Sequence, residues 1–456
     1  MNWRVLLDQI AASKLTLLFV LTLILCWPLF YNGYPLLYSD SGTYIVSSIE
    51  LKPPVDRPIG YGLFINWITW KATLYTVPLF QNLILSFLIV RCCELFKLKK
   101  IIILFITIIL SLITGISWYS NQIMPDIFTS ILFLSSLLYL TDEKASRFEK
   151  TLSLLFIFVA LISHFSNLVI LIITLTLLFI IGFKSILLAN KNKFKKLVAV
   201  ITIAPLFLAF NHWKNDFGFV VSRSNNVFLT ARLAETGILK KILDKKCIKK
   251  NYSLCACKDS LPNATAPFLW DYQNSPLYTK SGGWEKANVE YADFVKQIYS
   301  DKEIFFLFIK ASFTATWQQL FEVNIGSGLS AYGENSAPFY PISAHLKKEY
   351  PNYINAKQQQ SQFNFELLNS INKVVLVFSF TTLLFLFFVF KNDKRVLFFL
   401  TAVFIICISN AAVTASLANV YDRLQARVLW LPVFFVLVFI TVLIQKKLLE
   451  RNSTSS

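Results

Sequence analysis

The sequence predicts an all-α polytopic membrane protein. Of its 456 residues, 55% are hydrophobic and 16% are aromatic, and the mean hydropathy is +0.56. These values come from repeated apolar runs of about 17–20 residues, the length that an α-helix needs to cross a hydrocarbon core of about 30 Å. We therefore expect about ten transmembrane helices, near residues 15–31, 74–90, 101–117, 125–140, 151–163, 166–183, 197–210, 373–390, 396–417 and 428–445.

The apolar stretch 151–183 is too long for one span, because a single helix would measure about 50 Å at about 1.5 Å per residue. We expect a break at His164-Phe165-Ser166-Asn167, which also puts the basic runs 97–100 and 191–196 on one side of the membrane. Both termini are then cytoplasmic. The net charge of +18 follows from basic cytoplasmic loops and attraction to anionic lipids, and no separate basic domain indicates a nucleic-acid partner.

This topology divides the chain into three parts. Residues 1–210 form an N-terminal transmembrane module of about seven helices, and its first outer loop, 32–73, carries the most unusual polar residues. Residues 211–372 form one large mixed extracytoplasmic loop domain, and residues 373–456 form a C-terminal module of about three helices. No internal repeat is evident and few ionisable residues lie at mid-membrane depth, which weighs against a secondary transporter.

The large loop contains three distinct patterns. Residues 227–247 are amphipathic and predict a surface helix near lipid headgroups, whereas the apolar stretch 304–317 is either interfacial or part of the loop's own core. Residues 324–364 are rich in Gly, Ser, Asn, Gln and Pro and predict irregular structure with a solvated Gln358-Gln359-Gln360 run. In an oxidising exterior, Cys247 pairs with either Cys255 or Cys257, and one thiol is left over.

Asp40 is the most informative single residue. It lies directly after the first predicted span, within Leu36-Leu37-Tyr38-Ser39-Asp40-Ser41-Gly42-Thr43-Tyr44. A carboxylate at the mouth of a span costs free energy unless a cation, a metal or water compensates it, so a functional group is one interpretation. The other is a helix N-cap, a position that Ser and Asp side chains favour.

Other polar residues converge on the same outer face. Arg57 lies in the first outer loop, Asp126 follows Pro125, His164 lies at the predicted break, and Arg423 and Arg427 precede the last helix. Arginines of this kind suit a lipid phosphate, and an acid suits activation of a hydroxyl. The alternatives are a structural salt bridge of Arg423 and Arg427 to Asp422 or Asp126, a helix-dipole partner for Asp126 and a hydrogen-bonded turn for His164.

In the order of these motifs the chain resembles the GT-C membrane glycosyltransferases, which include the protein mannosyltransferases. Asp40 corresponds to the acid that this superfamily carries in its first outer loop, although many members have two adjacent acids there. The segments that resemble further family elements are Arg57-Pro58-Ile59-Gly60-Tyr61-Gly62-Leu63-Phe64, Met124-Pro125-Asp126-Ile127-Phe128 and Arg423-Leu424-Gln425-Ala426-Arg427-Val428-Leu429-Trp430-Leu431-Pro432.

The resemblance implies a hexosyl- or pentosyltransferase that moves a sugar from a polyprenyl-phosphate donor to an extracytoplasmic glycan, lipid or protein acceptor. Asp40 and Asp126 are then the catalytic carboxylates, and the substrate-binding residues are Arg57, Tyr61, His164, Arg423 and Arg427. A divalent cation, Mg²⁺ or Mn²⁺, held by Asp40 and Asp126 is the cofactor that the resemblance leaves open. We expect the enzyme in the inner (plasma) membrane of a bacterium, among membrane lipids, with its active face outside.

Two other functions are compatible with this sequence. A lipid-linked glycan flippase or polymerase-like protein would also put arginines near a lipid phosphate, but it needs a large polar cavity through the bundle. A non-catalytic membrane assembly protein predicts that Asp40 and Arg423 point away from each other. The relative positions of these side chains therefore discriminate among the alternatives.

Overall fold

A computed structural model describes residues 13–454 except Lys71. The two termini, which the sequence places in the cytoplasm, fall largely on residues outside this range. Within the described residues the chain is helical, and its only β-type contact is an isolated parallel bridge between Leu36 and Gln122. The helical fold class predicted from the sequence is confirmed.

The helices of the first half of the chain are α1 Lys14–Leu25, α2 Trp27–Asn32, α3 Ser41–Glu50, α4 Gly60–Thr69, α5 Thr76–Leu95, α6 Lys100–Ile113, α7 Ile116–Ser120, α8 Ile127–Thr141, α9 Arg147–Ser163, α10 Phe165–Leu178, α11 Lys184–Leu187 and α12 Lys191–Lys214. Those of the second half are α13 Asn225–Glu235, α14 Ile238–Lys246, α15 Thr265–Trp270, α16 Pro276–Thr279, α17 Trp284–Ser300, α18 Lys302–Leu320, α19 Phe339–His345, α20 Tyr350–Asn355, α21 Glu366–Val389, α22 Lys394–Leu417 and α23 Asp422–Thr454. A π-turn, Phe179–Phe183, joins α10 to α11, and a 3₁₀ turn covers Cys255–Cys257.

Six helices of the described chain are long and apolar enough to cross a membrane: Thr76–Leu95, Phe165–Leu187, Lys191–Lys214, Glu366–Val389, Lys394–Leu417 and Asp422–Leu448. The predicted spans 15–31, 101–117 and 125–140 correspond to shorter apolar helices of 12, 14 and 15 residues. At about 1.5 Å per residue these measure about 18–23 Å, less than a hydrocarbon core of about 30 Å.

The predicted break within 151–183 is present at His164. This residue ends α9 and begins α10, with an extended backbone at φ −150° and ψ 126°. Its Nδ1 atom accepts the backbone N–H of Ser166 at 3.2 Å, which caps the first turn of α10. The long apolar stretch is therefore two helices rather than one.

The hydrophobic residues form separate clusters. The largest unites the N-terminal and C-terminal helices, with Phe128 of α8, Phe398 of α22 and Phe434 of α23 fully buried. A second cluster lies within residues 227–304 and is centred on Phe268 and Phe294. The predicted loop 211–372 is thus divided, because Ile342 and Tyr353 pack into the first cluster and not into the second.

The amphipathic stretch 227–247 differs from its prediction. It forms two helices, α13 and α14, which are separated at Gly237 with φ +72°, where a residue without Cβ is favoured. The apolar residues Leu233, Ile238 and Ile242 are buried in the second cluster. The apolar face therefore covers the core of its own module and is not left for lipid headgroups.

The apolar stretch 304–317 belongs to α18. Its first turn joins the second cluster through Ile304, which answers the expectation of a loop core. Further along, Phe306, Phe313 and Trp317 are exposed, and the helix packs lengthwise against the candidate span α22. The helix is therefore both part of the loop's core and an apolar neighbour of the transmembrane bundle.

The expectation of a solvated Gln358-Gln359-Gln360 run is wrong for Gln358, which is buried. Its side chain accepts the N–H of Leu37 at 3.0 Å and donates to the carbonyl oxygens of Leu37 at 2.7 Å and Ser330 at 3.1 Å. Its own N–H donates to Asn32 Oδ1 at 2.8 Å. The irregular segment 324–364 is thereby fastened to the loop that carries Asp40.

The structure also decides between the two disulfides that the sequence allows. Cys247 is bonded to Cys255, and Cys257 is the free, partly buried thiol. The bond closes the end of α14 onto the 3₁₀ turn. It lies within the module of the second cluster, and the buried Cys26, Cys92, Cys93 and Cys407 are also free thiols.

The segment before α19 packs very closely on α3. Gly42 lies in the first turn of α3, and a Cβ atom added there would overlap the backbone carbonyl of Ala337. Only glycine permits this approach. Gly42 therefore holds one end of the segment 324–364 against the helix that begins at Asp40.

We expect Gly42→Ala to lower the free energy of unfolding by about 1–3 kcal/mol, because the Ala337 backbone has to move and helix propensity regains less than this. The matched control is Gly333→Ala, where an added Cβ has no atom within 4 Å. Thermal unfolding of both purified variants in detergent measures the difference. Equal melting temperatures for the two variants would show that the close contact is not formed.

Candidate functional site

Asp40 is positioned by hydrogen bonds of the loop before it. The backbone of Leu36 pairs with the segment between α7 and α8, through Asn121 and Ile123, with N–O distances of 3.0 and 2.8 Å. The hydroxyl of Ser41 accepts the N–H of Tyr38 at 2.8 Å, which closes the turn at Asp40. These contacts direct the loop across the end of the helical bundle.

Asp40 stands at the N-cap position of α3, but its side chain makes no capping hydrogen bond. Instead, Oδ1 lies 2.9 Å from Nη2 of Arg57, and Oδ2 lies 3.4 Å from both Nη atoms of Arg423. The Arg423 guanidinium also lies over the ring of Tyr38, with Cζ 3.9 Å from the ring centroid. Of the two interpretations from sequence, the capping role is therefore not observed.

Asp126 occupies a second position between two arginines. It precedes α8 and makes no capping hydrogen bond, while Oδ1 lies 3.3 Å from Nη1 of Arg427 and Oδ2 lies 3.7 Å from Nη1 of Arg423. Arg423 and Arg427 are four residues apart in α23 and therefore project from the same side of the helix. Arg427 also donates to Asn410 Oδ1 at 2.9 Å and to Ser166 Oγ at 3.4 Å.

These contacts join six side chains into one alternating series, which we call the ion chain: Asp56, Arg57, Asp40, Arg423, Asp126 and Arg427. Three carboxylates and three guanidinium groups give a formal charge of zero. The exposed fraction of the side chains falls from 15–17% at Arg57 and Asp40 to 0–1% at Arg427 and Asp126. The ion chain thus leads from a partly accessible end to a fully buried one.

The pKa values of the two partly accessible carboxylates, Asp40 and Asp56, are shifted in opposite directions. Burial opposes ionisation of Asp40, but the guanidinium groups of Arg57 and Arg423 outweigh it and hold the pKa of Asp40 below its ordinary value. At Asp56, burial dominates over the attraction of Arg57 at 3.6 Å and raises the pKa. Asp40 is therefore ionised at neutral pH as long as both arginines remain beside it.

His164 and Tyr61, the other two substrate-binding residues that the resemblance implies, are both hydrogen-bonded within the protein. His164 is partly buried beside the ion chain, and burial together with the charge of Arg427 lowers its pKa, so the imidazole is neutral. This is the hydrogen-bonded turn histidine that the sequence left as an alternative. Tyr61 is fully buried, donates to Gln81 Oε1 at 2.8 Å and packs on Tyr44, so it supports the site from the core.

The donor set does not fit the divalent cation that the resemblance leaves open. Asp40 and Asp126 are each bound by two guanidinium groups, and Arg423 contacts both. Mg²⁺ and Mn²⁺ require oxygen ligands whose negative charge is not already compensated by cations.

Two contributors were not identified from the sequence. Asn410 lies within the apolar helix α22, where it is buried, and its Oδ1 atom accepts a hydrogen bond from the Arg427 guanidinium. The signal in the sequence is a polar amide inside an apolar run. Tyr38, which supports Arg423, carried no signal beyond its place in the loop.

Comparison with known proteins finds no matching family model, no similar curated protein and no similar solved structure.

We expect Asp126→Asn to destabilise the protein by about 3–5 kcal/mol, because it leaves the buried charge of Arg427 uncompensated. Arg427→Met should act similarly, while the double variant should lose less than the sum of the two, because no isolated charge remains. The control is Asp259→Asn in the exposed Lys240–Asp259 pair, where no change is expected. Additive losses in thermal or denaturant unfolding would contradict a coupled pair.

Proposed function

We propose that the chain is an integral membrane glycosyltransferase of the GT-C type, which transfers a sugar from a polyprenyl-phosphate donor to an extracytoplasmic acceptor. The observation that carries this proposal is the ion chain, whose accessible end brings together Asp40, Arg57 and Arg423 from opposite ends of the sequence. A carboxylate between two arginines provides both the base and the anion contacts that the reaction needs.

Arg423 has a hydrogen-bond donor without a partner among the described residues. Nε of Arg423 is buried and makes no hydrogen bond with any described residue, although the guanidinium group offers five N–H donors. Arg423 also lies in the first turn of α23, a candidate span, where a lipid phosphate would arrive at the membrane surface. These features support Arg423 and Arg57 as the groups that hold the donor phosphate.

The proposed reaction is a single displacement. The acceptor hydroxyl gives its proton to Asp40 while its oxygen attacks the anomeric carbon. The bond between that carbon and the phosphate oxygen breaks, and polyprenyl phosphate leaves with the electron pair, stabilised by Arg57 and Arg423. Attack opposite the leaving group inverts the anomeric centre. The resemblance implies substrate contacts for Asp126 and Arg427, but their side chains are only 0–1% exposed. In this scheme they do not touch the substrate, and Asp126 orients Arg423 through their ion pair.

The path of the chain through the membrane is part of the same proposal. We propose about ten membrane crossings, in which the shorter helices α1, α6, α8 and α9 join the six candidate spans. Both termini are then cytoplasmic, and the active face is extracytoplasmic in the bacterial inner membrane. The break at His164 supports this arrangement, since it lets α9 and α10 cross in opposite directions. The basic runs 97–100 and 191–196 then lie on the cytoplasmic side.

The alternatives differ in what they require of this site. An assembly protein predicts that Asp40 and Arg423 point away from each other, whereas their side chains are in contact at 3.4 Å. A flippase requires the arginines but no base, because it makes and breaks no covalent bond. The effect of removing the Asp40 carboxylate on transfer therefore separates these functions from an enzyme.

We expect Asp40→Asn to reduce sugar transfer by about 10²–10⁴-fold, because the amide cannot accept the hydroxyl proton. Donor affinity should stay the same or increase, because Arg57 and Arg423 lose their competing carboxylate. Transfer of labelled sugar from polyprenyl-phosphate donors is measured in membranes with matched protein levels, and Asp216→Asn, at an exposed acid of the large loop, is the control.

A folded, fully active Asp40→Asn protein would remove Asp40 from the reaction. A large rise in donor KM with unchanged kcat would contradict its role as a base. If the wild-type protein transfers sugar from no polyprenyl-phosphate donor, the flippase and assembly alternatives gain support instead.

The proposed topology predicts opposite labelling of two exposed asparagines. In a Cys257→Ser background, an impermeant maleimide should label Asn263→Cys of the large loop in intact cells but should label Asn190→Cys, between α11 and α12, only after permeabilisation. Labelling of both sites in intact cells would overturn the crossing of α12 and half of the topology.

A further inference from the structure

Three aromatic rings converge beside the accessible end of the ion chain. Phe228 of α13, Trp270 at the end of α15 and Trp284 at the start of α17 have ring centroids 5.3, 5.4 and 6.4 Å apart. All three side chains are partly buried, in contrast to the fully buried Phe268 and Phe294 of the module core. We call this group the aromatic surface.

The aromatic surface is held rigidly. The indole N–H of Trp284 donates to the hydroxyl of Tyr278 at 3.0 Å, and that hydroxyl donates to the carbonyl oxygen of Leu269 at 2.7 Å. The helices α13 and α17 are joined by Asn226, which donates twice to Asn288 at 3.0 and 2.9 Å. Binding of a ligand here therefore costs little free energy for ordering these side chains.

The aromatic surface is connected to the candidate site through one residue. The guanidinium Cζ of Arg57 lies 5.8 Å from the ring centroid of Phe228 and 5.6 Å from that of Trp270, within cation–π distance. Through Nη2 the same guanidinium group binds Asp40. Arg57 thus places the rings directly next to the carboxylate that the proposed reaction uses.

We propose that Phe228, Trp270 and Trp284 form a sugar-binding subsite, which holds a pyranose unit of the acceptor with its hydroxyl directed to Asp40. This inference rests on the proposed function. Sugar rings present C–H faces that pack on aromatic rings, and hydroxyl groups that need polar partners at the edge. Asp56 and Arg57 provide such partners beside the rings.

The acceptor, rather than the donor, is the occupant that the geometry favours. The rings belong to the module of the second cluster, outside the candidate spans, whereas Arg423 begins the candidate span α23. A lipid-linked donor arrives from the membrane and reaches Arg423 first. The rings lie against Arg57, whereas Arg423 lies over Tyr38, so the rings are left for the second substrate.

The subsite can be tested without knowing the natural acceptor. The probes are the methyl glycosides of glucose, mannose, galactose and N-acetylglucosamine, and saturation-transfer NMR measures their binding to the full-length protein in nanodiscs. We expect at least one glycoside to bind the wild type and to bind Trp270→Ala about tenfold more weakly. Trp270→Phe, which keeps an aromatic face, should retain most of the binding.

Trp317→Ala is the matched control, because Trp317 is an exposed tryptophan on α18 that is not part of the aromatic surface. Thermal unfolding checks that each variant is folded. Equal binding by wild type and folded Trp270→Ala, equal losses in Trp270→Ala and Trp317→Ala, or no glycoside binding by the wild type would each overturn the proposal. Glycoside binding that persists in Asp40→Asn, together with loss of transfer, supports both proposals. Binding with no transfer by the wild type overturns the enzyme alone.

Discussion

The ion pair between Asp126 and Arg427 constrains everything around it, because both side chains are almost inaccessible to solvent. A buried charge that loses its partner costs several kcal/mol, so each member requires the other and further hydrogen bonds. Arg427 takes these from Asn410 and Ser166, which tie α23 to α22 and α10. The helices of the two ends of the chain are thus assembled around one compensated charge.

The need for charge compensation extends outward to Asp40. Arg423, one turn before Arg427, contacts both Asp126 and Asp40, and Asp40 in turn contacts Arg57. Each added charge is compensated by the next, until the series reaches partly exposed side chains. The position of Asp40 depends on the irregular segment around Gln358, whose amide binds both backbone groups of Leu37. Packing of a poorly patterned loop therefore determines the geometry at the accessible end.

The sequence indicated the members of this site and offered Asp126 as a salt-bridge partner of Arg423 and Arg427, which the structure shows. It did not indicate the contacts of Asp40 with Arg57 and Arg423. Asp40, Asp126, Arg423 and Arg427 are conspicuous because charged residues at the ends of apolar runs need a reason. Their contacts join residues as much as 383 positions apart, and no local pattern encodes such a distance. The prediction of a solvated Gln358 is wrong for a related reason. A run of polar residues looks the same in the sequence whether it lies in solvent or in a hydrogen-bonded interior, because the sequence does not show its partners. The apolar face of residues 227–247 likewise indicated burial, but the sequence does not identify the residues that cover it.

The resting arrangement also explains how a strongly paired carboxylate could serve as a base. Between two arginines Asp40 has a low pKa and little tendency to accept a proton. The ion chain is neutral, so in the proposed reaction the donor phosphate has to compete with Asp40 for Arg57 and Arg423. When it does, Asp40 loses the charges that lower its pKa and becomes a better base at the moment when the donor is bound. Arg57 can exchange partners without moving away, because Phe228 and Trp270 continue to support its guanidinium group. Pairing in the resting state and basicity in the loaded state are then two consequences of the same contacts.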